Sequence, residues 1–160
     1  MNNKLYVAGF DRYDFINNPA SSSASFTIWF SGCTHRCKGC HNKELWNRDE
    51  HKSIKVGDVY DIVHKCNIRY NVRDLVLLGG EPLQQDIDAL LKLLVLCKKD
   101  GMTIWLYTGY DFDDVPCEIL EHLDFIKCGK YDITKKQDGF PASSNQILYK
   151  YSNNAWLQVS

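Results

Sequence analysis

The sequence lacks the features that would place it among membrane, nucleic-acid-binding or secreted proteins. Its strongly apolar stretches, near residues 75–78 and 90–97, are far shorter than the ~20 residues that a membrane helix needs. A net charge of −1 leaves no basic surplus, so direct nucleic-acid binding is not expected. The first residues carry no apolar segment, so we expect no signal peptide and a cytoplasmic location.

The sequence also lacks the even cysteine count of a disulfide scaffold, because it has seven cysteines in 160 residues. Four of them are scattered, and we expect most of these to be core thiols: Cys66, Cys97, Cys117 and Cys128. Free thiols fit a reducing compartment. The length indicates a single domain over residues 1–160, with a core that needs no disulfides.

Strand-like and helix-like segments alternate, which predicts an α/β fold with a mostly parallel sheet. We expect strands over 4–8, 26–30, 75–78, 103–107, 125–128 and 146–151. We expect helices over 57–67, from Pro82 to about Gly101 and over 115–122, with a loop-like start to the C-terminal segment 135–160. A complete eight-fold barrel needs about 200 residues or more, so only a partial (β/α) barrel fits this chain.

The other three cysteines form the pattern C-x3-C-x2-C in one loop, residues 31–42, directly after a predicted strand: Cys33, Cys37 and Cys40. An iron–sulfur cluster usually takes four thiolates, so three would leave one iron open to another molecule. A structural zinc site instead closes all four positions, usually with two separated ligand pairs. A zinc site completed by His35 or His41, in a binding module without catalysis, is the weaker alternative.

A second motif, Gly79-Gly80-Glu81-Pro82, follows the predicted strand 75–78. Two glycines permit unusual φ values and let the polar group of a ligand approach the backbone. Glu81 adds an acceptor suited to an ammonium group. The turn at 107–110 also follows a strand, and ligands of parallel sheets collect at the carboxyl ends of the strands. We therefore expect the cysteine loop and both turns to form a single site.

The combination of C-x3-C-x2-C with Gly-Gly-Glu resembles the radical S-adenosylmethionine enzymes. Within them, the chain is most similar to the activating enzymes of anaerobic ribonucleoside-triphosphate reductase. The likeness covers nearly the whole length, through segments 31–33, 40–42, 77–83, 104–110, 129–131 and 144–146, and Trp46. It implies a partial barrel of the radical SAM type, formed by one domain.

This resemblance implies one 4Fe–4S cluster per chain, held by Cys33, Cys37 and Cys40. The cosubstrate S-adenosyl-L-methionine would chelate the open iron through its amino and carboxylate groups. Its other contacts would come from Gly39, Cys40, His41, Gly79, Gly80, Glu81 and Lys130. In this assignment Glu81 and the glycines hold the ammonium, residues 39–41 meet the adenine, and Lys130 either contacts the carboxylate or is a solvated charge. No further catalytic residue is implied.

The implied activity is the activation of the reductase. Reductive cleavage of the cosubstrate would give methionine and a 5′-deoxyadenosyl radical, which takes a hydrogen atom from a glycine of the large catalytic subunit. The electron would come from a low-potential donor, which the family suggests is flavodoxin. Another glycyl-radical enzyme as the target stays an open alternative.

Three features depart from the family pattern. Ile147 stands where relatives have a basic residue, so we assign no anion contact there. Cys128 stands where relatives tend to have an acidic residue, and a fourth thiolate there would block the open iron. The segment Ser21–Ser25 replaces a glycine-containing turn, so we assign it no role. We expect Trp105 and Tyr107 to be core residues of a strand.

Overall fold

The computed structural model describes residues 3–18 and 22–159 of the chain. Its strands are β1 (Lys4–Asp14), β2 (Ser25–Phe30), β3 (Ser53–Lys55), β4 (Asp74–Gly79), β5 (Thr103–Tyr107), β6 (Phe125–Cys128), β7 (Ile147–Ser152) and β8 (Ala155–Gln158). Its α-helices are α1 (Val56–Tyr70), α2 (Ile87–Lys99) and α3 (Cys117–Leu120). The segment Ser21–Ser25, to which we assigned no role, begins outside the described residues, and Ser25 is the first residue of β2.

The strands form one sheet in the order β3-β1-β2-β4-β5-β6-β7-β8. The central strands β2, β4, β5 and β6 pair in parallel, with a helix in each connection between neighbours. The outer strands pair antiparallel. The α/β fold is therefore confirmed, with parallel pairing at its centre and antiparallel pairing at its flanks. The partial barrel stays a prediction.

Both faces of the central strands are covered, as their continuous apolar sequences predict. Side chains alternate between the two faces along each strand. One set packs against the helices and includes Phe26, Ile28, Leu75, Leu77, Ile104, Leu106, Ile126 and Cys128. The other set lies on the opposite face and includes Trp29, Val76, Leu78, Trp105, Tyr107 and Phe125. The functional residues described below lie at the carboxyl ends of these strands.

The start of α2 differs from the prediction. Pro82–Gln84 forms a separate 3-10 turn, and α2 begins only at Ile87, after Asp86 has capped it by accepting a hydrogen bond from the Ala89 amide at 2.9 Å. Because this turn ends before α2 begins, Gln85 is extended and lies between the helix and the sheet. The Gln85 side chain accepts from the Tyr6 amide and donates to the Ser31 carbonyl. A helix that began at Pro82 would lose this cross-link.

Other differences are at the margins of the sheet. The short strands β3 and β8 were not predicted, and β1 continues beyond residue 8 to Asp14. β8 follows β7 across Asn153-Asn154, whose φ values of 52° and 61° suit a tight hairpin turn. Cys66, Cys97 and Cys128 are buried as expected, whereas Cys117 is exposed. That expectation was wrong for Cys117 because it begins the short helix α3 on its solvent side.

No helix of the described residues is long and apolar enough to cross a membrane.

Candidate functional site

A cavity of about 280 Å³ lies where the central parallel strands end. Most of the predicted site residues line it: Cys33, Cys37, Cys40, His41, Gly79, Gly80, Glu81 and Lys130. Gly39 is not among the lining residues, and a Cβ at its position would meet the side chain of Ile133 at 2.5 Å. The cysteine loop and both glycine-containing turns therefore share one cavity.

The cysteine loop is held to the segment that follows it by backbone hydrogen bonds. The Gly32 amide donates to the Leu45 carbonyl at 2.8 Å, and the Cys33 amide donates to the Trp46 carbonyl at 2.9 Å. The Arg36 guanidinium lies 5.3 Å from the centre of the Trp46 ring. These contacts fix the loop without using any of its thiols. Trp46 thus has a packing role in this loop.

The three thiols of the loop are chemically available. All three are free and half-buried, and burial raises the pKa of the Cys33 thiol. The Asn42 amide lies 3.4 Å from the Cys40 sulfur and donates to it. A backbone amide that donates to sulfur is one of the means by which a protein adjusts the potential of an iron–sulfur cluster.

The donor set fits an iron–sulfur cluster. Within residues 3–18 and 22–159, no three histidine, cysteine, aspartate or glutamate side chains form a group that could hold a single metal ion. A cluster does not require such convergence, because each thiolate binds a different iron. The remaining candidate for a fourth thiolate, Cys128, is buried in the core on the helix-covered face, where burial raises its pKa to about 12. Three thiols therefore line the cavity.

The two glycines of the Gly-Gly-Glu turn are required by the close approach of the chain to itself. A Cβ at Gly80 would lie 2.6 Å from the Gly32 carbonyl oxygen, and one at Gly79 would lie 2.7 Å from the Phe30 nitrogen. The Glu81 amide donates to the same Gly32 carbonyl at 2.8 Å. The backbone leading into the cysteine loop thus occupies the space on the Cβ side of both glycines, and their contact with a ligand stays a prediction.

Glu81 is buried and joins all three segments of the site. Its side chain is 1% exposed. Oε1 accepts from the Leu83 amide at 3.0 Å and from the Thr108 hydroxyl at 2.8 Å. Oε2 accepts from the Gly109 amide at 2.8 Å and lies 3.0 Å from Nε2 of His35. Four partners match the number of lone-pair sites that an ionised carboxylate offers. An ammonium contact at Glu81 stays a prediction, and it would have to displace one of these partners.

His35 occupies a slot that only glycine at position 109 leaves open. A Cβ at Gly109 would lie 2.5 Å from Cδ2 of His35. The Tyr110 ring packs edge-on against the imidazole, with the ring centres 4.6 Å apart. Sequence reasoning considered His35 only as a zinc ligand and missed this contact. A usable signal was present, because a buried carboxylate such as Glu81 needs a donor or cation from a neighbouring loop.

The floor of the cavity includes two side chains to which the sequence motifs gave no role. Tyr107, expected in the core, lines the cavity and donates a hydrogen bond to the Asn17 carbonyl. Burial raises the pKa of Tyr107. Lys127 also lines the cavity, and burial lowers its pKa to about 8. Alternation along β6 could have identified Lys127, because its neighbours Ile126 and Cys128 both face the core.

The far wall is braced by residues close to the C-terminus. The Gln146 side-chain amide donates to the Gly129 carbonyl at 3.0 Å, and Asn145 donates to the Lys130 carbonyl at 2.8 Å. These bonds fix the turn that carries Lys130, whose side chain is exposed. Across the rim, the rings of His41 and Tyr131 lie 5.1 Å apart. Trp105 is buried beneath this site and stacks on Phe125, as expected for a core residue.

Known proteins resemble the chain over most of its length. Residues 23–149 match the family described as a 4Fe-4S single cluster domain. The anaerobic ribonucleoside-triphosphate reductase-activating protein of Enterobacteria phage T4 is 32% identical over 151 residues, which cover 89% of this chain and 92% of that protein. The protein of the same name from Vibrio cholerae is 29% identical over 148 residues, covering 87% of this chain and 94% of the relative.

The crystal structure of QueE from Escherichia coli has a similar fold. It superimposes with a TM-score of 0.56 and 17% sequence identity, covering 76% of this chain and 69% of QueE. At this identity the likeness concerns the fold alone. The sequence relatives carry the assignment: this chain belongs to the family of anaerobic ribonucleoside-triphosphate reductase-activating proteins and contains a 4Fe-4S single cluster domain.

Proposed function

We propose that this chain activates an anaerobic ribonucleoside-triphosphate reductase by forming a glycyl radical on the large catalytic subunit. The observation that carries the proposal is the shared cavity, which is lined both by three free thiols of one loop and by the Gly-Gly-Glu turn. The reductase is proposed as the target because the sequence relatives are named as its activating proteins.

The three thiols would hold a 4Fe–4S cluster and leave one iron for the amino and carboxylate groups of S-adenosyl-L-methionine. When bound, the cluster would supply one electron to break the C5′–S bond of the cosubstrate, which would give methionine and a 5′-deoxyadenosyl radical able to take a hydrogen atom from a glycine Cα. Cys33, Cys37 and Cys40 are the ligands that this proposal requires.

The residues of this chain position the reactants. Glu81 ties the cysteine loop, through His35, to the turn after β5, through Thr108 and Gly109. The wall formed by Gly79 and Gly80 is therefore held at a fixed distance from the thiols. At the rim, His41 and Tyr131 offer two adjacent rings against which an adenine can pack.

The site needs a partner to complete it. The cavity is open to solvent, whereas a carbon-centred radical must be kept from water and from other side chains. We infer that the glycine-bearing loop of the reductase closes the cavity over the bound cosubstrate. A low-potential donor, flavodoxin by family resemblance, would supply the electron. The chain would act as a single domain, in the cytoplasm.

Anaerobic reconstitution with iron and sulfide tests the proposal. We expect a 4Fe–4S cluster in the isolated chain and 5′-deoxyadenosine when dithionite and S-adenosyl-L-methionine are added. With the cognate large subunit, electron paramagnetic resonance should show a glycyl doublet. Cys37→Ala should abolish all three signals, whereas Cys117→Ala, which alters an exposed thiol outside the cavity, should retain them.

Two results would contradict this proposal in different ways. One zinc per chain with neither iron nor sulfide would exclude both the cluster and the radical chemistry. Cleavage of the cosubstrate without a glycyl signal on the reductase would leave the chemistry intact and assign it to a different target.

A further inference from the structure

Lys127 places a positive charge on the floor of the cavity. It belongs to β6, where its side chain points away from the helix-covered core and lines the same cavity as Cys37 and Glu81. The register pairs it with Tyr107 on β5. The ammonium nitrogen lies 5.0 Å from the centre of the Tyr107 ring and 6.0 Å from that of Phe140. Its surroundings are therefore mainly aromatic faces.

This ammonium group has no acceptor within hydrogen-bond or ion-pair distance among residues 3–18 and 22–159. The nearby candidates are engaged elsewhere. Glu81 already has four partners, and the Tyr107 hydroxyl donates to the Asn17 carbonyl. Two cation–π contacts are weaker than an ion pair and do not replace the lost hydration of a buried charge. The cavity therefore contains a half-buried cation that has no counter-ion among the residues that the structure describes.

Three nearby groups interact with this charge. Burial lowers the pKa of Lys127, and electrostatic interactions with Glu81, Cys128 and Cys37 oppose that effect. The ammonium group therefore lies within electrostatic reach of both the Gly-Gly-Glu turn and the cysteine loop. These two segments enclose the place where the proposed function puts the amino-acid end of the cosubstrate. Lys127 and the exposed Lys130 are the two lysine or arginine side chains among the described lining residues, so Lys127 is the less exposed of the two cations that a carboxylate there would meet.

We propose that Lys127 binds the carboxylate of S-adenosyl-L-methionine and thereby selects for a cosubstrate with an intact amino-acid end. The inference rests on the proposed function. One carboxylate oxygen would remain on the open iron, and the other would accept a charge-assisted hydrogen bond from the Lys127 ammonium. Lys130, the residue that motif resemblance favours for this contact, is exposed, and an exposed charge contributes little to binding. Lys127 is partly desolvated, so its ion pair would be stronger.

The test compares two ligands on the reconstituted protein: S-adenosyl-L-methionine and its decarboxylated analogue. Lys127→Met removes the ammonium group but keeps most of the aliphatic stem. Since a hydrogen bond to a charged group contributes ~1.5–3 kcal/mol, we expect the variant to bind S-adenosyl-L-methionine about 10- to 100-fold more weakly than wild type. Affinity for the decarboxylated analogue should stay within about twofold of wild type. Lys127→Arg, which keeps the charge, should restore part of the lost affinity.

Lys150→Met is the matched control. Lys150 also places its ammonium group near an aromatic ring, 5.5 Å from the centre of Phe125, but its side chain is exposed and outside the cavity. The Lys150→Met variant should bind both ligands with the affinity of wild type. Iron and sulfide content, measured for every variant, shows that each carries its cluster. If Lys127→Met does not take up its cluster, Lys127→Gln can be used in its place to compare the affinities for the two ligands.

The outcomes separate this inference from the proposed function. If wild type loads a cluster but binds no S-adenosyl-L-methionine, the proposed function fails. If wild type binds it and Lys127→Met binds it equally well, the role of Lys127 is refuted and the proposed function stands. An equal loss of affinity for both ligands would indicate a general disturbance of the cavity and would also refute the role. Weaker binding of the large reductase subunit, with unchanged cosubstrate affinity, would assign the carboxylate to that partner instead.

Discussion

The contact between His35 and Glu81 can be tested by replacing His35 with alanine. The change removes one of the two partners of Oε2 and leaves the Gly109 amide as the other. Both side chains are buried, with exposures of 8% for His35 and 1% for Glu81, so water cannot easily replace the lost partner. The loss of a hydrogen bond to a charged group is about 1.5–3 kcal/mol, and the cavity left by the imidazole adds to it. We expect the free energy of unfolding to fall by about 2–4 kcal/mol.

The assay is denaturant unfolding of the metal-free chain, monitored by circular dichroism. His51→Ala is the matched control, because His51 is exposed, and it should change the free energy of unfolding by no more than ~0.5 kcal/mol. His35→Gln keeps a side-chain donor, so its loss in free energy of unfolding should lie between those of His35→Ala and His51→Ala. The reasoning is refuted if His35→Ala loses no more stability than His51→Ala.

A double-mutant cycle tests the same contact from the other side. Gly109→Ala places a Cβ 2.5 Å from the His35 ring, so the ring must move or the turn must open. We expect a loss of ~1–3 kcal/mol in the wild-type background, as for other overpacked sites. In the His35→Ala background the added methyl group enters vacated space, and the two effects should be strongly non-additive. Additive effects would show that the ring and the glycine do not share this slot.

Three further predictions concern single residues. Gly80→Ala should lower cluster retention during gel filtration, because its Cβ would lie 2.6 Å from a backbone carbonyl at the start of the cysteine loop; retention equal to wild type would contradict this. Cys128→Ser should keep the iron content of wild type, whereas Cys37→Ser should lose it; a matching loss in both would make Cys128 a ligand. The folded chain lowers the pKa of Lys127 to about 8, so unfolding takes up a proton between pH ~8 and ~10. The free energy of unfolding of wild type relative to Lys127→Met should therefore rise with pH across that range, and a flat difference would contradict the shift.

The parts of the fold that repeat a local pattern were predictable from the sequence. The apolar run before Gly79 indicated a buried parallel strand, and β4 is one. The spacing of Val59, Ile62, Val63 and Cys66 indicated the face of α1 that packs on the core, where Ile62 is partly buried and the other three are buried. The start of α2 was predicted wrongly, because Pro82 suits a 3-10 turn as well as a helix and Asp86 is the stronger cap.

The site was predictable where its residues follow strand ends. The cysteine loop and the Gly-Gly-Glu turn were both placed at the carboxyl edge of the sheet, and they line one cavity. The partners of Glu81 could not be predicted from the motif, because they come from two other turns and depend on how closely three backbones approach. Phe140 gave no signal at all, since it lies in a loop without regular structure that reaches the cavity only through the tertiary fold.

The central claim is that three thiolates leave one iron for the cosubstrate. The most direct test is electron–nuclear double resonance of the reduced, reconstituted chain with S-adenosyl-L-methionine labelled at its amino nitrogen. We predict a hyperfine coupling from the labelled nitrogen to the cluster. A fully loaded 4Fe–4S cluster that shows no such coupling, and whose spectrum does not change when the cosubstrate is added, would contradict the account.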